Sequence, residues 1–404
     1  MLWSLLAAVV FTASIASLFP AAAGAATTTP GTLDASFGTG GKAFDRFPLG
    51  AGHGGMAVLQ DGSLVTVGTE AVSGGSRMRV TRFGADGAVL GSTGVTSPGI
   101  SAPDAREVVR APDDGVIVVG EGGGRALVAK LTSSLTLDTT FGAGTGRVVS
   151  STLARGLAVA PRSDGKVLVA GRFGGDASIM RLNADGSTDT SFGTARRVVT
   201  PGDDLDHVHG VATEPDGSIV AVAYGALPAI WRLSPQGVLQ GLSEVVVPGI
   251  NAAHPDHLVL QPDRKILVVG LSQGSSVNLW VARLTPTAAP DPTFNANDFA
   301  VYPLNTTLQP ATIDETGLAL QRNGKVVVSL SSSANAFFVA RRTSSGAPDT
   351  TFGTGGQVTT DMVAGAQETT VELGLQSTDR DRCRRPDPLL HGVGQRIRPR
   401  PLLR

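Results

Sequence analysis

The side chains best suited to ligating chemistry are concentrated in two short segments. Asp203-Asp204-Leu205-Asp206-His207-Val208-His209 forms the first, and His254-Pro255-Asp256-His257 lies at the matching place roughly fifty residues on, with His53 near the equivalent point of an earlier repeat. Imidazoles and carboxylates contributed by neighbouring repeats can converge on a metal ion or an anionic ligand. The spacing, however, is neither that of a zinc motif nor that of an Asp-x-Asp-x-Asp calcium loop. Residue types alone therefore favour solvated loops at a channel mouth. Asp206, His207, His209, His254 and His257 are the candidate binding residues, and no metal, catalytic or cofactor-binding residue is assigned.

Other polar residues recur too regularly to be catalytic. Asp34, Asp138, Asp189, Asp291 and Asp349 each precede a Phe, and a basic residue ends a strand at Arg82, Lys130, Arg181, Arg232, Arg283 and Arg341. A catalytic group is needed once, whereas a turn cap is needed in every repeat. These carboxylates are expected to cap turns, with the Phe wedged between repeats and the basic residues pairing with carboxylates or carbonyls. Gly122-Gly123-Gly124 lacks the Lys-Ser/Thr of a phosphate loop, and no Gly-x-Ser-x-Gly elbow occurs. The sole cysteine is Cys383, near the end, which excludes a thiol nucleophile in the body. Trp231 and Trp280 fall in strands and read as core rather than as a sugar platform.

The elements that must position these residues are three pieces in constant order. An apolar run ends at a turn centred on Asp61, Asp114, Asp164, Asp216, Asp263 or Asn323, positions separated by 53, 50, 52, 47 and 60 residues. Five of the six are followed by Gly, the pair that accepts the positive φ angles of tight hairpins; Arg264 breaks the pattern in the fifth unit. A short run such as Leu64-Val65-Thr66-Val67-Gly68 follows, apolar at nearly every position and suited to a strand covered on both faces. The third piece is the strand with the basic residue, and Phe141, Phe192, Phe294 and Phe352 each lie eleven residues beyond it. Units of about fifty residues with short strands and no helical pattern have the size of propeller blades. A right-handed β-helix is the structural rival, but its coils are shorter and need no hairpin.

Leu33-Asp34-Ala35-Ser36-Phe37-Gly38-Thr39-Gly40-Gly41 and Pro348-Asp349-Thr350-Thr351-Phe352-Gly353-Thr354-Gly355-Gly356, with the Gln-x-Asp-Gly and Ala-Arg-Leu pieces between them, resemble the delta-60 repeat family of bacterial exported proteins. The resemblance implies β-propeller architecture and no assigned chemistry, and a fold alone does not license a function.

The ends of the chain carry separate expectations. Residues 1–25 read as a signal peptide, with an apolar run from Leu5 to Phe11 and the small residues Ala23-Gly24-Ala25 at the cleavage site, although no Lys or Arg precedes the run. A membrane anchor is the competing reading, but the run is short for a span. Residues 27–376 hold the repeats. Because Phe37 has no complete repeat before it and Val371–Gln376 restarts the first piece, the expected fold is an all-β, seven-bladed propeller in which the N-terminal strand completes an incomplete last blade. Residues 377–404 hold eight Arg, three Asp, four Pro and no Lys, a compositional break. A basic interaction tail is one reading; a frameshift is preferred, because Ile397-Arg398-Pro399-Arg400-Pro401-Leu402 read one nucleotide later can encode Phe-Ala-Leu-Ala-Arg-Tyr, the strand the seventh blade lacks. Without the tail the chain is net acidic, which argues against nucleic acid. The expected role is a secreted or cell-envelope monomer, a scaffold or recognition module for an extracellular protein or glycan, without a cofactor. The alternative is a channel-centred, metal-assisted lyase or hydrolase of a carbohydrate or small molecule.

Overall fold

Each repeat folds as one four-stranded antiparallel sheet, and among the described residues six such sheets follow one another along the chain. The computed structural model describes residues 4–9, 30–47, 54–194, 197–199, 205–225, 227–247, 253–272, 277–295, 299–303, 316–331 and 336–361. Among them no helix occurs, and none is long and apolar enough to cross a membrane. The first blade comprises Met56–Val58, Leu64–Val72, Gly75–Phe83 and Val89–Val95, in that spatial order. The innermost strands of the next five are Asp104–Arg110, Arg155–Pro161, Leu205–Thr213, Ala253–Leu260 and Thr316–Leu320.

The second strand of each blade is apolar throughout because both its faces are covered. In Val116–Gly122, Val116 and Val118 pack into the cluster shared with the first blade, while Ile117 and Val119 pack into the cluster shared with the third. The two-residue period of a strand thus sends alternate side chains to opposite neighbours. Trp231 and Trp280 are fully buried in such clusters, as their strand positions implied.

One polar device repeats at the blade boundaries. In the third blade Arg181 donates from Nε to Asp189 at 2.7 Å, and Asp189 accepts the backbone N–H of Ser191 at 2.9 Å. The Arg181 guanidinium lies 4.6 Å over the Phe192 ring and donates to the Pro235 carbonyl of the fourth blade. Phe192 rests on Gly237, where a Cβ would come within 2.6 Å of the ring, and the Gly193 N–H donates to the Gln236 carbonyl at 2.8 Å. Arg283, Asp291, Phe294 and Gly346 repeat the arrangement between the fifth and sixth blades. Lys130, Asp138, Phe141 and Gly186 provide a lysine version between the second and third. Lys130 and Thr140 hold the Asp138 carboxyl down at about 2.

The first and fourth blades have no such Phe, with Thr93 and Ser243 at its place. The boundary of the fourth uses Glu214, fully buried, which accepts Arg232 of its own blade at 3.0 Å and Arg264 of the fifth. Arg264, at φ 66°, takes the turn position that is Gly62, Gly165, Gly217 and Gly324 in four of the other blades. The break in the turn motif is therefore an inter-blade ion pair, made at the cost of a left-handed backbone.

The turn sites reverse the first strand into the second, as expected: in the first blade Gly62 N–H donates to Leu59 O, Leu59 N–H donates to Ser63 O, and Gly62 is left-handed, at φ 81°. Asp61 accepts the Ser63 N–H, a side-chain cap on the turn. In the second blade Asp113 plays this part, and Asp114, at φ 63°, stands where Gly stands elsewhere.

The blade number needs correction: among the described residues six complete four-stranded blades are present, not seven. Lys42–Phe47, expected to share a sheet with the end of the chain, pairs antiparallel with Ser4–Val9 in a two-stranded sheet. The physical reason is that a strand with unpaired edges takes up an available apolar segment; Val371–Gln376 and the tail lie outside the described residues. The N-terminal segment nevertheless docks as a blade edge would. Gly353 N–H of the sixth blade donates to Pro30 O at 3.0 Å, and Gly38 N–H donates to Asp86 O of the first at 2.6 Å. Phe37 and Ala43 pack on Leu64 and Phe83, whereas Phe44 packs against Val327, Phe337 and Phe352.

Arg283→Ala leaves the buried Asp291 carboxylate with Lys265 as its remaining cationic partner and uncouples the fifth blade from the sixth. The expected loss is about 3 kcal/mol, the scale of breaking a buried ion pair, read as a lower guanidinium midpoint; a midpoint unchanged from wild type would refute the bracing role.

Candidate functional site

The innermost strands position the candidate side chains, and a β-bulge recurs in four consecutive blades. The pairing to the second strand skips one residue between Ala105 and Glu107, between Gly156 and Ala158, between Val208 and Gly210, and between Pro255 and His257. The bulged residues are Arg106, Leu157, His209 and Asp256. A bulge re-aims its side chain relative to the regular pleat. It also explains the Gly that ends the second-strand motif: a Cβ at Gly270 would lie 2.0 Å from His254 O, and at Gly120 1.9 Å from Asp104 O.

In the second and third blades this region is filled by ions that satisfy one another. Arg106 contacts Asp104 and Glu121, each at 3.0 Å, and Glu121 also accepts Arg155 of the third blade. The fourth and fifth blades differ. His209 lies 4.7 Å from His254 across the blade boundary, with the rings edge-to-face. Tyr224, paired with His207 in the fourth blade, lies 4.3 Å from the His254 ring. His254 Nδ1 is 3.0 Å from Asp256 Oδ1, and Asp256 Oδ2 accepts the Thr316 hydroxyl of the sixth blade at 2.6 Å. His254, Asp256 and Thr316 are buried.

The electrostatics favour neutral imidazole at His209. Although part of its surface faces solvent, burial within the strand ends comes first, and the positive charges available on His254, His207, His257 and Arg155 follow; together they hold it well below the usual 6.5. A neutral imidazole offers a lone pair to a ligand or metal.

Of the residues singled out from sequence, His209 and His254 are brought together. His207 is adjacent, its ring 5.8 Å from His209, and His257 is half-buried and close enough to act on His209 electrostatically. Asp206 is exposed and falls at a second pairing irregularity, between Leu205 and His207. His53, Asp203 and Asp204 lie outside the described residues. Asp256, Tyr224 and Thr316 were not among the candidates. Asp256 stood in view between two histidines; Tyr224 and Thr316 join the site only through strand register and inter-blade packing.

Fold and site together define a repeat-built β-propeller with an imidazole and carboxylate cluster between two of its blades. The family described as a domain of unknown function (DUF5122) beta-propeller matches the chain over residues 162–192 and 261–294, which run from the first-hairpin turn to the wedged Phe in the third and fifth blades. The match supports a β-propeller repeat family. A protein from Lactobacillus plantarum shares the fold, with TM-score 0.51 and 12% identity over 91% of this chain and 98% of that one. Virginiamycin B lyase from Staphylococcus aureus is similar at TM-score 0.46 and 11% identity, over 72% of this chain and 83% of that one. A gluconolactonase from Xanthomonas campestris is similar at TM-score 0.40 and 12% identity, over 68% and 82%. Neither of these two likenesses carries an inference about activity. No curated protein is detectably similar in sequence.

The depressed His209 value fixes the sign of a pH effect. The neutral form is the stable one in the folded chain, so its contribution is complete above 6.5 and is lost as pH falls below it. Imidazole NMR titration should show one histidine still neutral where the unfolded chain's are half protonated, and His209→Gln should remove that resonance; titration of every histidine near 6.5 would refute the enclosed geometry.

Proposed function

We propose that the chain is an exported β-propeller of the delta-60 repeat type that serves as an extracellular or cell-envelope recognition module, binding its ligand on the inner face of the fourth and fifth blades. The observation that carries this reading is the asymmetry of the ring. Four of the chain's six histidines stand at that boundary, whereas the matching region of the second and third blades holds ion pairs that are already compensated. Rigid blades holding polar side chains at a concave inner face are the arrangement that small-ligand and glycan sites use. Binding of the purified chain to cell-envelope glycan fractions is expected to fall at least about tenfold in a His207→Ala/His254→Ala variant. Undiminished binding by a folded variant would remove the site from the reading.

A metal-assisted lyase or hydrolase is the second reading, favoured by the Asp256–His254 pair, in which a carboxylate orients an imidazole as a general base requires. Turnover of a carbohydrate or lactone library, rather than retention of it, distinguishes the two.

The ring is proposed to have a seventh sector, completed in the unshifted reading frame by the C-terminal segment paired to Lys42–Phe47. Docking of Pro30 to the sixth blade and of Gly38 to the first supports this, because both use the hydrogen bond that joins consecutive blades elsewhere. Removal of a leader containing Ser4–Val9 would leave Lys42–Phe47 without its present partner. A chain with the frame restored after Gln376 is expected to melt at least about 5 °C higher than the present sequence; equal melting temperatures would count against a seventh blade.

A further inference from the structure

We propose that His209, His254 and Asp256 form a site for one divalent transition-metal ion of the zinc class. The inference rests on the reading that the inner face of the fourth and fifth blades is the functional site, and names a ligand for it. One ligand atom from each of the three residues lies within 4.8 Å of the others. His254 Nδ1 and Asp256 Oδ1 are 3.0 Å apart, close to the roughly 3.3 Å between two ligands on a tetrahedral zinc ion. An ion placed there takes the Nδ1 lone pair of neutral His254, whose single ring proton then sits on Nε2, together with the Asp256 carboxylate, and small side-chain rotations of His209 complete a three-ligand set.

The donor types decide the class of ion. Two imidazoles and one carboxylate suit zinc, cobalt or nickel, whereas calcium and magnesium call for six or more oxygens that this pocket does not gather. The surroundings suit an occupied site. Thr316 fixes the second carboxylate oxygen, so Asp256 is held from outside the ligand set, as metal ligands commonly are. Three protein ligands leave a fourth coordination position for a carboxylate, phosphate or hydroxyl oxygen of a ligand. The bulges are what make the set possible: without them His209 and Asp256 would follow the regular pleat of their strands.

The test is a calorimetric titration of the tag-free full chain with zinc, repeated with cobalt to record the visible absorption of the bound ion. One zinc per chain is expected, with a cobalt spectrum of low coordination number, and affinity at least tenfold weaker in both His209→Gln and Asp256→Asn. Where His209→Gln does not fold, Asp256→Asn and a zinc-dependent rise in the wild-type melting temperature carry the comparison. Absence of stoichiometric binding by wild type, or equal binding by folded variants, overturns the metal site. Glycan binding measured with and without EDTA separates the two readings. Binding lost on His207→Ala/His254→Ala but indifferent to EDTA keeps the recognition site and rejects the metal.

Discussion

The contact on which the ring depends is the latch between consecutive blades, where a basic residue, a carboxylate and a phenylalanine of one blade close on a glycine of the next. Its parts are mutually conditional. The carboxylate caps its own turn and fixes the guanidinium; the guanidinium covers the ring and reaches the neighbour's carbonyl; the ring fits because the neighbour has no Cβ. A flat sheet packed on another flat sheet through aliphatic side chains has little to set its rotation. An aromatic wedge with directional hydrogen bonds on both sides sets it, and copying the wedge around an axis is what turns stacked sheets into a ring.

Much of this was written in the repeat itself. The strand order, the two-sided burial of the second strand and the structural use of Asp189, Arg181 and Phe192 follow from recurrence, because a feature present in nearly every unit answers a need that every unit has. Register was less legible. Asp113 and Asp114 both look like the turn aspartate, and only the positive φ of Asp114 shows which one replaces the glycine. Closure was less legible still, since it depends on which segment finds the exposed edge of Lys42–Phe47, and pairing partners are set by availability as well as by pattern.

The site was half visible. Histidines at matching places in neighbouring repeats could be seen to approach, but the sequence has no mark for a β-bulge, and the bulges at His209 and Asp256 decide which side chains meet. Asp256 stood between two histidines without standing out, because its role comes from a hydrogen bond to His254 on one oxygen and to Thr316, sixty residues away, on the other. Long-range partners of this kind leave no local signal.

The boundary between the fourth and fifth blades departs from the common pattern at both ends of the same strand. At one end the aromatic wedge is absent and the buried Glu214 holds Arg232 and Arg264 instead; at the other the compensated ions of earlier blades give way to imidazoles. In a repeat protein a lone departure is readily absorbed as drift, since the other boundaries carry the ring. Two departures on one interface are different, because the substitute ion pair must hold these blades in register for His209 and His254 to stay within 4.7 Å. The substitute ion pair and the histidine cluster thus share one interface, which Arg264 accepts a left-handed backbone to keep closed; absence of the phenylalanine alone does not bring such a cluster, because the first blade lacks it too, with Thr93 at its place and Arg82 reaching the Ser133 carbonyl of the second blade.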